Sequence, residues 1–188
     1  RTTESQTHRE MASGLSFPVG FKNATNGDQQ VAINAMRSSQ AGHRFLGINE
    51  DGISCVVHTR GNPHVHIVLR GGADGPNYEP AFVERTEQML SRAGLDPRIM
   101  IDCSHANSRK DHARQEIALA NTLDQLDAGN QSIFGVMLES FIEAGSQPIP
   151  EDLGQLVYGR SVTDACIDWP TTERLVLETS DRLSVARS

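Results

Sequence analysis

The 188-residue chain is 37% hydrophobic and 22% charged, with a formal net charge of −7, the balance of one soluble globular domain rather than a disordered or fibrous segment. That charge argues against a general nucleic-acid or anionic-membrane binder, which needs a positive field, and no apolar run reaches the roughly 18 residues of a membrane span. Three cysteines, Cys55, Cys103 and Cys166, are an odd number without C-x-x-C spacing, which speaks against a disulfide framework or a zinc knuckle and for buried small apolar residues.

The opening "RTTESQTHRE" lacks the basic-then-apolar character of a signal peptide, so a cytoplasmic location is expected. Starting on Arg1 rather than methionine suggests a segment of something longer. Thr2 to Ser13 reads as a helix stopped by a left-handed Gly14. "FPVGFKN" (17 to 23) follows as a short strand, and "NGD" (26 to 28) starts a helix to about Ser39. In 43 to 59 two apolar runs flank Asn49-Glu50-Asp51-Gly52, a strong hairpin signal. "HVHIVLRGG" (64 to 72) is a buried strand ending in a glycine pair. Pro80 to Ala93 is an amphipathic helix with Phe82, Val83, Met89 and Leu90 inward, stopped by Gly94. "RIMIDCSH" (98 to 105) is the next strand and Asp111 to Leu126 the next helix. "SIFGVMLES" (132 to 140) is a further strand, 144 to 160 a Pro- and Gly-containing loop, and Thr171 to about Val185 a last helix.

Strands beginning near 17, 64, 98 and 132, with helices between them, fit βα units of a parallel sheet. Four units make half of a (β/α)8 TIM barrel, whose usual length is about 250 residues; the pattern alone also admits an open four-stranded sheet. The fold expected is α/β, the C-terminal half of such a barrel, with the hairpin of 43 to 59 inserted and residues 1 to 188 forming one partial catalytic domain.

Reactive groups in parallel α/β folds gather at the C-terminal ends of the strands. That rim selects Lys22, Arg70, His105 and Glu139, with Arg1 at the start and Asp164 in the last loop. Arg1, Lys22 and Arg70 are cations suited to a phosphorylated or dianionic substrate, against the plainer alternative of surface ion pairs. Lys22 stands out because only Lys22 and Lys110 among the seventeen basic residues are lysines. His105, Glu139 and Asp164 join one imidazole to two carboxylates, a mixture that suits Mn, Fe, Co or Zn better than Ca or Mg. His105 alone reads equally well as a capping histidine. His64 and His66 form a rival pair on one strand face, but they precede the strand's apolar core and belong to the opposite rim. Asp102 reads either as an orienting partner for a metal-bound histidine or as a buried acid paired with Lys22 or an arginine.

"RTTESQ" (1 to 6), "PVGFKN" (18 to 23), "LRGG" (69 to 72), "DCSHAN" (102 to 107), "GVMLES" (135 to 140) and "SVTDACI" (161 to 167) together resemble the short bacterial and yeast type of 3-deoxy-D-arabino-heptulosonate 7-phosphate (DAHP) synthase. The resemblance runs along essentially the whole chain. It implies a (β/α)8 enzyme that condenses phosphoenolpyruvate with erythrose 4-phosphate and releases phosphate, the first step toward aromatic amino acids. It further implies that Arg1, Lys22 and Arg70 grip phosphoenolpyruvate, that His105, Glu139 and Asp164 hold the divalent metal, and that Lys22, His105 and Asp164 act in catalysis.

The family's fourth metal ligand, a cysteine in Gly-Pro-Cys, and its Lys-Pro-Arg-Thr contacts to the aldose phosphate do not occur in this sequence. A homo-oligomer is expected by the same resemblance, as is feedback inhibition by an aromatic amino acid near the hairpin. Ser16, Phe45, Gly47 and Val57 are the candidate effector contacts. Phenylalanine-regulated relatives tend to have Ser at the position of Gly47, so tyrosine or tryptophan is favoured over phenylalanine. The competing readings are a sister enzyme joining phosphoenolpyruvate to another sugar phosphate, and a catalytically inert piece of the barrel.

Overall fold

The computed structural model describes residues 5–185; Arg1 and the first helical positions expected, 2 to 4, lie outside them. In chain order the elements are α1 (Gln6–Ser13), β1 (Val19–Lys22), α2 (Gln30–Gln40), β2 (Arg44–Ile48), β3 (Ser54–His58), β4 (Val65–Leu69), α3 (Pro80–Arg92) and β5 (Ile99–Asp102). After a 3-10 turn at His112–Arg114 come α4 (Gln115–Asp127), β6 (Ile133–Met137), β7 (Glu143–Ser146), β8 (Arg160–Ser161) and α5 (Trp169–Val185).

The fold is mixed α/β around a four-stranded parallel sheet of order β1-β4-β5-β6. β4 forms where the sequence is dense in β-branched residues, and all five of Val65–Leu69 are buried, as a strand covered on both faces requires. Phe21, Ile67, Leu69, Ile99 and Ile101 pack with Ile33 and Met36 of α2, Val83 and Leu90 of α3, Leu119 of α4 and Leu175 of α5 in one core. Strand alternation sends the intervening residues to the opposite face. There His66 meets Phe134 edge to face, ring centroids 4.8 Å apart. Gly20 lies beside them because a Cβ at that position would come within 2.6 Å of the His66 ring.

The hairpin forms as expected, with β2 and β3 antiparallel and Arg44 opposite His58. The Asn49 side chain accepts from the Asp51 and Ile53 N–H groups, an Asx turn that fixes the reversal, and Gly52 takes the left-handed backbone.

Three local expectations are corrected. Gly14 ends α1 with φ −95°, in the right-handed region, so no left-handed cap is formed there. In α3 the buried positions are Val83, Thr86 and Leu90, spaced three and four apart; Phe82 falls off that stripe and is 39% exposed, while Met89 packs against the core's edge. The stretch 144 to 160 is more ordered than a loop. β7 and β8 pair in parallel, and the Gln147 side chain bonds the Val157 and Arg160 carbonyls and the Val157 N–H, supplying contacts that no local periodicity encodes.

No helix among the described residues is long and apolar enough to cross a membrane. Replacing Ile67, fully buried in β4, by Ala should lower stability by about 2–5 kcal/mol through lost burial and an unfilled cavity. Phe82→Ala should cost far less. Urea unfolding of the two variants checks this, and equal losses would contradict the packing described.

Candidate metal centre

The register of the sheet brings its strand ends to one rim. Lys22 ends β1 and sits level with Val68, Leu69 is level with Ile101, and Asp102 ends β5 level with Met137. Arg70 follows β4 directly and Glu139 stands two residues beyond β6.

Asp102 is the pivot. Its side chain is 2% exposed, its Oδ2 lies 2.6 Å from Lys22 Nζ and 3.0 Å from His105 Nδ1, and its Oδ1 accepts from the Ser104 N–H at 3.0 Å and hydroxyl at 2.6 Å. Burial alone would raise this carboxyl's pKa. Hydrogen bonds from His105, Lys22 and Ser104, together with the Lys22 charge, override it and hold Asp102 well below the usual carboxylate range. Asp102 therefore pairs with Lys22, one of the two alternatives left open for it, and the same carboxylate also contacts the His105 ring.

His105 has φ +55°, an uncommon conformation for a side chain other than Gly or Asn. The turn is held by bonds from Asn107 N–H to Ser104 C=O and from Lys110 N–H to His105 C=O. Because the Ser104 hydroxyl donates to Asp102, its oxygen is left to accept from His105 Nδ1–H, 2.6 Å away. That network places a proton on Nδ1 and turns Nε2 away from Asp102. Nε2 faces Glu139 Oε1 at 3.4 Å and Asp164 Oδ2 at 3.7 Å. Desolvation raises the Glu139 pKa, with the neighbouring Asp164 and Asp102 charges adding to it and His105 opposing.

One nitrogen and two carboxylate oxygens, all within 4.8 Å of one another, form a donor set with the mixed character that divalent transition ions take. The Asp102 carboxylate, 3.0 Å from Nδ1, is the kind of partner that metal-bound histidines commonly have. The three groups open into a cavity of about 540 Å³ also lined by Arg70, Lys110 and His112. A cation-lined cleft around such a donor set suits an anionic substrate with an oxygen to be polarised.

Several residues that build this rim were not singled out from the sequence. Asn23, Asn77 and Asn107, all at most 5% exposed, link the three loops. The Asn23 carboxamide oxygen accepts from Arg70 N–H and Asn77 Nδ2, the Asn77 oxygen from Gly71 N–H, and the Asn107 oxygen from Asn77 N–H. Gln115, fully buried, bonds both the N–H and the C=O of Glu139. Asn23 and Asn107 follow strand ends in conspicuous motifs and were legible as loop fasteners; Gln115 carries no local signal, its partner lying 24 residues on. Gly71 (φ +77°) packs so closely on Ala106 that a Cβ would approach its backbone to 2.7 Å.

Of the remaining expected residues, Arg70 is half-buried on the cavity wall and Asp164 is exposed at its edge. Phe45 and Val57 are cross-strand partners on the half-buried face of the hairpin, which also carries Gly47. Ser16 is exposed in the link from α1 to β1, three residues after Ser13, whose hydroxyl bonds Thr59 at the hairpin's foot. His66 is buried against Phe134, and His64 is exposed ahead of β4, on the opposite rim. Cys103 is buried, its thiol pushed up to about 12 by burial and by Asp102; Cys166 is buried and Cys55 half-buried.

The profile of the DAHP synthetase I family matches residues 1–177. The chain is 52% identical over 184 residues to a Tyr-sensitive phospho-2-dehydro-3-deoxyheptonate aldolase of Salmonella typhimurium, covering 98% of this chain and 51% of that protein. It is 50% identical over 182 residues to the phenylalanine-inhibited enzyme of that name from Saccharomyces cerevisiae, covering 94% of this chain and 49% of that protein. The solved structure of the Francisella tularensis phospho-2-dehydro-3-deoxyheptonate aldolase superposes with a TM-score of 0.92 at 45% identity, over 100% of this chain and 54% of that one. The chain thus spans about half the length of each of these three proteins.

Lys22→Met leaves Asp102 buried without its cation and should cost about 3–5 kcal/mol at neutral pH. Adding Asp102→Asn to it should recover part of that loss, because the two effects are coupled. Additive losses in urea unfolding of the single and double variants would contradict the pairing.

Proposed function

Because the chain belongs to the DAHP synthetase I family, we propose that it forms part of a 3-deoxy-7-phosphoheptulonate synthase. Such a transferase joins phosphoenolpyruvate to erythrose 4-phosphate and releases inorganic phosphate, at the entry to the shikimate pathway. The observation that carries this reading is the convergence of His105, Glu139 and Asp164 on a cavity that Arg70 also lines, with Lys22 anchored to the same Asp102 that orients His105.

His105 Nε2, Glu139 and Asp164 would hold a divalent Mn, Fe, Co or Zn ion, with a fourth ligand from a Gly-Pro-Cys segment not found in this sequence. When bound, the ion supplies Lewis-acid polarisation of the aldehyde oxygen of erythrose 4-phosphate. Lys22 and Arg70, joined by Arg1, bind the phosphate and carboxylate of phosphoenolpyruvate and orient its C3 toward that carbonyl carbon, which supplies proximity. Carbon–carbon bond formation turns the aldehyde oxygen into an alkoxide and leaves positive charge at C2; water adds at C2, one of its protons passing to the alkoxide, and the other leaves with inorganic phosphate as the ketone forms. Asp102 holds Lys22 in place throughout, and its second contact holds the His105 ring.

The parallel sheet is read as part of a (β/α)8 barrel, residues 1 to 188 forming a partial catalytic domain with the hairpin of 43 to 59 inserted. Supporting this, β1 and β6 end the sheet order, and Phe134 and Met137 of β6 are 46% and 40% exposed, apolar surface that further strands would cover. The protein is read as a cytoplasmic homo-oligomer without nucleic-acid partners. Phe45, Gly47, Val57 and Ser16 are read as effector contacts, with tyrosine or tryptophan favoured over phenylalanine. A Cβ at position 47 would come within 2.6 Å of Val57 Cγ2, so a serine there would require Val57 to turn.

In the full-length protein, phosphate release should require both substrates and a divalent metal. His105→Ala should weaken metal binding by more than the roughly 10–100-fold that changes to outer partners cost. Arg70→Ala should raise the KM for phosphoenolpyruvate roughly tenfold or more, the worth of a charge-assisted contact. Metal retained at full affinity in His105→Ala sinks the site assignment. In the same assay tyrosine or tryptophan should inhibit more strongly than phenylalanine, and inhibition by phenylalanine alone would overturn the effector reading.

A further inference from the structure

The ladder between β5 and β6 ends before Glu139, where a single parallel bridge, Ser140 to Ile167, takes over. The last bond from β5 to this strand runs from Cys103 N–H to Met137 C=O, two residues short of the carboxylate. Beyond that point the Glu139 backbone is gripped from elsewhere: its C=O accepts from Ile167 N–H at 3.0 Å and from Gln115 Nε2 at 3.0 Å, and its N–H donates to Gln115 Oε1 at 2.7 Å.

We propose that Gln115 is a positioning residue for the metal site, its buried carboxamide holding both backbone groups of Glu139 so that the carboxylate stands opposite His105 Nε2. The proposal deepens the metal reading above and rests on it. Gln115 is fully buried at the first position of α4. A primary amide in such a place must find partners or be strongly destabilising, and both of its assigned bonds go to one residue 24 positions away. The paired geometry copies the donor and acceptor that a neighbouring strand would offer. It therefore extends the strand's constraint to the residue that carries a ligand.

The same helix follows the turn that sets His105, whose geometry depends on the Asp102 and Ser104 contacts. Through Gln115, the loop that places the nitrogen donor is tied to the backbone that places one of the two oxygen donors. Among the described residues, a change at Gln115 removes both side-chain contacts to the Glu139 backbone at once while leaving the three donor side chains and the Ile167 contact intact.

The test is Co2+ affinity, read from visible absorption during titration of the full-length protein, with unfolding followed in parallel. Gln115→Met removes both bonds at nearly constant volume and should weaken Co2+ binding by roughly 10–100-fold, the range for partners of metal ligands. Gln115→Glu keeps an acceptor for the Glu139 N–H but loses the donor to its C=O, and should weaken binding less than Gln115→Met. If Gln115→Met does not fold, a weakened affinity in Gln115→Glu supports the proposal and a parental affinity overturns it. A folded Gln115→Met with a lowered melting temperature and parental Co2+ affinity makes the residue merely a packing element and also overturns it. His105→Ala separates the two levels. If it abolishes Co2+ binding while both Gln115 variants bind as the parent does, only the positioning role fails; if it too binds as the parent does, the metal reading falls and the proposal with it.

Discussion

A single buried carboxylate organises the rim of the sheet. Asp102 lies at the end of β5, almost without access to water, and is contacted by Lys22 from β1, by Ser104 and by His105 from the turn that follows. An isolated ionised carboxylate in that position would be strongly unfavourable. Three side chains and the Ser104 N–H compensate it, and each side chain is fixed in return. The lysine is drawn to the rim, the serine hydroxyl is committed, and the histidine ring is held so that its far nitrogen faces two further carboxylates. Charge satisfaction in the core and presentation of donor groups at the rim are here one set of bonds.

Around that pivot, backbone geometry is fixed by side-chain amides rather than by sheet ladders. Parallel strands end at different heights, and their loops leave N–H and C=O groups that need partners. Asn23, Asn77 and Asn107 supply them between the loops after β1, β4 and β5, and Gln115 supplies them after β6. Gly71 lets two of those loops meet at van der Waals distance. The strained backbone at His105 is sustained because the surrounding bonds over-determine it.

The parallel α/β architecture was legible because its strands are short, apolar and separated by amphipathic helices, and the hairpin because Asn49 and Gly52 bracket a tight turn. The strand-end rule then found Lys22, Arg70, His105 and Glu139 without contact information. What it could not reach were interactions between residues far apart in sequence. The Gln115–Glu139 clamp and the Asn77–Asn107 link depend on sheet register, which no local pattern reports. Phe82 was misplaced for a simpler reason: a helix stripe read from hydrophobicity alone ignores that Thr86, with its hydroxyl bonded to Gln29 and to the Phe82 carbonyl, can occupy the buried face. The paired strands of 143 to 161 were hidden because a parallel contact made by two short segments leaves no period.

Anomalous diffraction at the manganese edge, from crystals of the full-length protein grown with Mn2+, tests most directly whether this rim is a metal centre. A peak bounded by His105 Nε2, Glu139 and Asp164, with Asp102 on the far side of the imidazole, is the predicted result. A peak at His64 and His66 instead, or ordered Mn2+ elsewhere with none beside His105, would contradict it.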